Sequence, residues 1–197
     1  MKHAGVSFDE IVVNLYRTTT KQQLSKFSPS LLVPCLLHGK LTVWDSLAIA
    51  EYIHELFPEK LLWPADRAKR AYARSVVAEM HSGFAALRAQ WTFDIVREKQ
   101  VPLDDEGQRN VARILDVWSL CRARYAADGP FLLGQHSLAD IFYAPVVSRF
   151  RTYGLKEMPA VAASYMELMW SQPLMQEWVA EARAEIAASS PPGSAPA

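Results

Sequence analysis

Cysteine is scarce in this chain. Cys35 and Cys121 are the only two among 197 residues, and both sit in apolar patterns. Two such residues do not make a disulfide framework, so they read as free thiols of an intracellular protein. Net charge is also missing. Lys plus Arg and Asp plus Glu stand at 21 each, which removes the basic excess that a nucleic-acid partner requires. No uninterrupted apolar run approaches the length that spans a membrane. The N-terminus lacks the charged-then-apolar pattern of a secretion signal. No metal site is expected, because Glu79-x-His81 does not have the spacing that sets two ligands on one helical face. No internal repeat is present. What remains is a globular balance, 50% hydrophobic and 21% charged, long enough for one or two domains with a core.

The most informative stretch runs from Val33 to Phe57. Val33-Pro34-Cys35-Leu36-Leu37 reads as a short buried strand. His38-Gly39 is a turn signal, with Gly free to take positive φ. Lys40 to Trp44 reads as a second strand. Asp45 and Ser46 are good N-cap residues. Ile49, Ile53, Leu56 and Phe57 follow at helical spacing, and Pro58 stops the helix. The front of such a helix offers backbone N–H groups and partial positive charge to a carboxylate or phosphate. Ser46 adds a hydroxyl, and Asp45 adds an anion for an ammonium group. A ligand carrying an α-carboxylate and an α-amine matches both. Pro34 cannot donate to a ladder. A cis Val33–Pro34 bond at a sheet end leaves the Val33 backbone for a ligand.

Val33-Pro34, the hairpin, Asp45-Ser46 and Leu47-Ala48-Ile49-Ala50-Glu51-Tyr52 resemble the glutathione-binding half of a bacterial-type glutathione S-transferase. Gly134-Gln135-His136-Ser137-Leu138-Ala139-Asp140-Ile141 is similar to the helix-capping signature of that family's all-helical half, and the similarity covers nearly the whole chain in order. The resemblance implies an α/β plus all-α fold. A thioredoxin-like domain spans 1–58, an all-helical domain 65–187, and a disordered tail 188–197. It implies glutathione as co-substrate, with Val33 and Pro34 pairing with its cysteinyl part and Asp45 and Ser46 holding its γ-glutamyl end. It further implies conjugation or isomerisation of a small hydrophobic electrophile, a detoxification chemistry, by a cytoplasmic homodimer without metal, membrane or nucleic acid.

The opening departs from that pattern. The match begins at the end of the family's first helix: Lys2, His3 and Gly5 suit a helix C-terminus. Phe8 to Leu15 then reads as a strand. The first strand and the Ser, Tyr or Cys that stabilises the glutathione thiolate are absent, and that strand is central in a thioredoxin-like sheet. The catalytic residue is therefore expected before Met1, in a longer natural chain. The alternatives are a non-catalytic glutathione-transferase-like binding or dimerisation module, and a poorly folding fragment. Leu31-Leu32 also stands where many relatives place ligand-contacting residues.

Beyond the Pro58–Pro64 linker the pattern is helical. Asp66 caps a long helix to about Trp91, with Tyr72, Val76, Met80, Phe84 and Leu87 on one face. Arg67, Lys69, Arg70 and Arg74 read as a solvated basic face. His81, Arg88 and Trp91 are candidates for substrate contact, because relatives line the electrophile pocket with this helix. A second long helix carries Val111, Ile114, Leu115, Trp118, Cys121 and Tyr125. Ser137 and Asp140 form a capping box, a structural role. Pro145 falls inside the helix that follows. Two more helices open near Pro159 and Pro173.

Overall fold

The computed structural model describes residues 1–189, so the tail expected from 188 lies mostly outside the described residues. The chain divides into two units, Met1–Leu62 and Trp63–Ala197.

In the first unit a 3-10 turn, Lys2–Ala4, ends at Gly5, whose φ of 63° and N–H to Lys2 carbonyl bond finish it as a helix end. The strand expected over Phe8–Leu15 does not form. The segment has no ladder partner among the described residues, and Ile11 and Val12 are exposed. A strand is completed by its neighbour, and the sheet among the described residues holds only β1 (Leu36–His38) and β2 (Leu41–Val43), paired antiparallel. Helix α1 is a short Thr20–Leu24. Gly39 and Lys40 form the hairpin turn, with Gly39 at φ 59°, one residue later than the sequence suggests. Both strands are shorter than expected, and β1 is half-exposed rather than buried. Helix α2 (Ser46–Leu56) follows and buries Ile53. His38 Nδ1 lies 2.8 Å from the Tyr52 hydroxyl, which ties β1 to α2.

The second unit is all helical: α3 (Arg67–Ser82), α4 (Ala85–Gln90), α5 (Asp105–Tyr125), α6 (Leu138–Thr152), α7 (Ala160–Trp170) and α8 (Pro173–Ser189). Helix α6 sits at its centre, packed against α3 and α7. Trp118 of α5 is fully buried, with Tyr143, Phe150 and Tyr165 around it at 4.9 to 5.8 Å between ring centroids. Aromatic pairs of this kind add about 1 kcal/mol each beyond the area they bury. Ser137 and Asp140 make the expected capping box, with the Ser137 N–H donating to Asp140 Oδ2 at 2.9 Å. Asp140 also accepts from the Leu132 N–H and the Tyr165 hydroxyl, so the start of α6 is bonded to the preceding loop and to α7.

The single helix expected from 66 to 91 is broken. Gly83 closes α3 with its N–H on the Glu79 carbonyl, and Phe84 takes φ 58° before α4 begins. A Cβ on Gly83 would lie 2.5 Å from that carbonyl oxygen, so the chain turns where only glycine fits. The basic cluster is not a simple solvated face. Lys69 pairs with Asp128 at 2.6 Å, Arg70 donates to the Pro64 and Ala65 carbonyls, and Arg74 lies over the Trp63 ring.

Candidate functional site

The antiparallel register pairs Leu36 with Val43. Past the Leu36–Val43 end of the ladder the chain continues as Pro34 and Val33 on one side and as Asp45 and Ser46 on the other, with Ser46 the first residue of α2. The two chain segments therefore leave the hairpin at one end of the first unit. The Val33–Pro34 peptide is cis there, as is Trp44–Asp45. A pinned loop delivers the proline side: Ser28 is buried, and its hydroxyl donates to the Leu32 carbonyl at 2.8 Å while the Leu32 N–H reaches Ser30 Oγ. The sequence reading above does not include this anchor. Its only signal was a pair of hydroxyls around a proline. Val33 comes out half exposed, and its N–H and carbonyl have no hydrogen-bond partner among the described residues.

On the other side, Asp45 is the N-cap of α2. Its Oδ1 accepts from the Leu47 and Ala48 N–H groups at 3.0 and 3.4 Å. The helix front is therefore less open than the sequence implies, because the capping carboxylate takes two of its donors. Ser46 is different. It is part-exposed, and neither its N–H nor its hydroxyl meets a partner among the described residues. What this end offers is one backbone donor and acceptor at Val33 and one N–H and one hydroxyl at Ser46, at the positive end of a helix.

An apolar cavity of about 790 Å³ lies in the same unit. Val6, Ile11, Val13, Leu36 and Ile53 line it, with Val33 and Pro34 on its wall, but neither Asp45 nor Ser46 does.

The other sequence candidates sit in the second unit. His81 packs edge-on against Phe142. Arg88 donates to the Met80 and His81 carbonyls at the end of α3. Trp91 is buried, stacked on Tyr153 at 4.9 Å, with its indole N–H on the Val101 carbonyl. Its ring belongs to the core of that unit. Cys35 donates weakly to the Phe27 carbonyl. Burial pushes the Cys121 thiol up to about 11, against a hydrogen bond with Tyr72, so it is held as the thiol and not as a nucleophile. Burial also drives Asp140 upward, while its hydrogen bonds oppose the shift. No group of metal-ligating side chains occurs among the described residues.

Residues 1–56 match the family model for the glutathione S-transferase N-terminal domain. Glutathione S-transferase 1 of Dianthus caryophyllus is 32% identical over 157 residues, which cover 77% of this chain and 70% of that protein. The chain belongs to the glutathione S-transferase family. Glutathione S-transferase L3 of Arabidopsis thaliana is 31% identical over 127 residues, 64% of this chain and 48% of that protein. The chain thus spans about half the length of that relative. A crystal structure of a glutathione transferase homolog from Burkholderia, with bound glutathione, superposes with a TM-score of 0.69 at 26% identity, covering 93% of this chain and 87% of that one. The family fold accounts for both units: a thioredoxin-like N-terminal part, here with two strands, and an all-helical C-terminal part.

Proposed function

We propose that this protein binds glutathione at the hairpin end of its first unit and uses it to conjugate or isomerise a small hydrophobic electrophile. The observation that carries the reading is the joint presentation of unpaired backbone at Val33 and unpaired donors at Ser46. The Val33 N–H and carbonyl pair with the cysteinyl backbone, as an added strand pairs with a sheet edge. The Ser46 N–H and hydroxyl bind the γ-glutamyl carboxylate at the positive front of α2. The Asp45 charge lies beside it for the α-ammonium. Pro34 follows Val33 and has no N–H of its own to offer. These residues position the tripeptide, and holding a nucleophile beside its target is a large part of what such a site contributes. The Burkholderia relative with bound glutathione supports this reading, and the family match supports a homodimer. No helix among the described residues is long and apolar enough to cross a membrane.

The test is retention on immobilised glutathione, followed by turnover of glutathione with chlorodinitrobenzene by the 197-residue chain. Retention with elution by free glutathione, and release of chloride as the thioether forms, is the expected outcome. Retention without turnover would leave a binding module. No retention would remove the reading.

A further inference from the structure

The apolar cavity of the first unit, about 790 Å³, is too large for a packing flaw, because voids in a core seldom exceed one water. Its size is that of a ligand site. Two stretches of main chain contribute to its wall. One carries Phe8, Ile11 and Val13, and the other is β1. Along the first, Ile11 and Val13 line the cavity while Val12 between them is 77% exposed. That is the alternation of a strand. Yet over residues 7–13 no backbone N–H or carbonyl meets a partner among the described residues. The second stretch is incomplete in the same way. Among the described residues β1 is bonded on one side only, to β2. An antiparallel strand turns alternate N–H and carbonyl groups away from its partner. Those of β1 reach no other segment among the described residues.

Those groups decide the class of occupant. A small apolar molecule fills the volume and satisfies none of them. A peptide strand carries donors and acceptors along both of its edges and sends alternate side chains to the apolar lining. Charge narrows the choice. Asp9 and Glu10 line the cavity, and neither has an ion-pair partner among the described residues. No Lys or Arg lines it. A cationic flank on the peptide complements that wall.

We propose that this cavity is a docking slot for an extended peptide segment of another protein, apolar at alternate positions and basic at its flanks. The segment adds as a strand, bonded to β1 on one edge and to residues 8–13 on the other. The inference does not rest on the glutathione reading: Val33 and Pro34 lie on the cavity wall, but Asp45 and Ser46 do not.

The probe is the peptide acetyl-KVIVLVK-amide, titrated calorimetrically into the full chain. The same peptide N-methylated at alternate residues keeps its side chains and loses the donors of one edge. It should bind at least about tenfold weaker, the worth of two backbone hydrogen bonds. The glutamate-flanked acetyl-EVIVLVE-amide should bind about threefold weaker, as exposed charges allow. Asp9→Asn with Glu10→Gln, both at exposed positions, should erase that difference. Amide hydrogen exchange places the peptide: it should slow both over residues 8–13 and over Leu36–His38. Ser46→Ala should leave the peptide affinity unchanged, which separates failure here from failure of the glutathione reading. No binding, equal binding of the N-methylated peptide, no preference for the lysine flanks, slowed exchange in one stretch alone, or an affinity that moves with Ser46→Ala would overturn the proposal. So would dissociation of a dimer by the peptide, which would make a second copy of the chain the occupant.

Discussion

At the scale of single residues, Asp94 shows how one carboxylate fixes a loop. Its Oδ1 accepts from the Val96 and Arg97 N–H groups at 3.1 Å each, its Oδ2 meets Arg97 and Lys99, and its own carbonyl takes the hydroxyls of Ser148 and Thr152 from α6. Burial pushes its carboxyl up, but those donors win and hold it at about 2. A carboxylate depressed in the folded state contributes stability above its unfolded pKa, near 4, and loses it as the pH falls through the folded value. The shift corresponds to roughly 2 kcal/mol. Denaturant titration should therefore find Asp94→Asn less stable by about that much at pH 6, with the difference closing as the pH approaches 2. A gap that persists unchanged to low pH would refute the ionic account. None of this was visible in the sequence. Asp94 lies between Phe93 and Ile95 without capping or periodic signal, and its partners on α6 are more than fifty positions away. Ser46 was visible, because a cap pair before an amphipathic run is a local pattern. The capture of the Leu47 and Ala48 donors by Asp45 was not, since side-chain rotamers decide it.

At the scale of elements, the hairpin, α2, α5 and the start of α6 follow from local chemistry, and all four were legible. Turn residues, caps and apolar spacing act within a few positions. Two elements were misread for opposite reasons. The Phe8–Leu15 segment has strand composition but no partner strand, and pairing is a property of two segments. The 66–91 segment has unbroken helical spacing, yet Gly83 and Phe84 divide it. There the winning effect is packing: Phe84 is buried after the turn, and Arg88 reaches back over the end of α3. Gly83→Ala forces a methyl against the Glu79 carbonyl and should cost about 2 kcal/mol, in the range of overpacked sites. Chemical unfolding measures it. A neutral result would mean that the break relaxes into continuous helix.

At the scale of the molecule the two units are unequal. The helical unit holds almost all of the buried apolar side chains, including Trp118, Tyr143, Phe150 and Tyr165. The first unit buries few and leaves Ile11, Val12, Tyr16, Leu32 and Trp44 exposed. The family fold was readable because its two signatures, around Val33–Ser46 and Gly134–Ile141, are each local. The state of the first sheet was not, because it depends on which strands are present to pair.

The central claim is that Ser46 and the freed backbone of Val33 hold glutathione. Calorimetric titration of glutathione into the wild-type chain and Ser46→Ala tests it most directly. Ser46 is not the cap of α2, so the substitution should leave the thermal midpoint nearly unchanged. Affinity should fall at least about tenfold, the loss of a hydroxyl bonded to a charged group. Equal affinity in the two proteins would contradict the account.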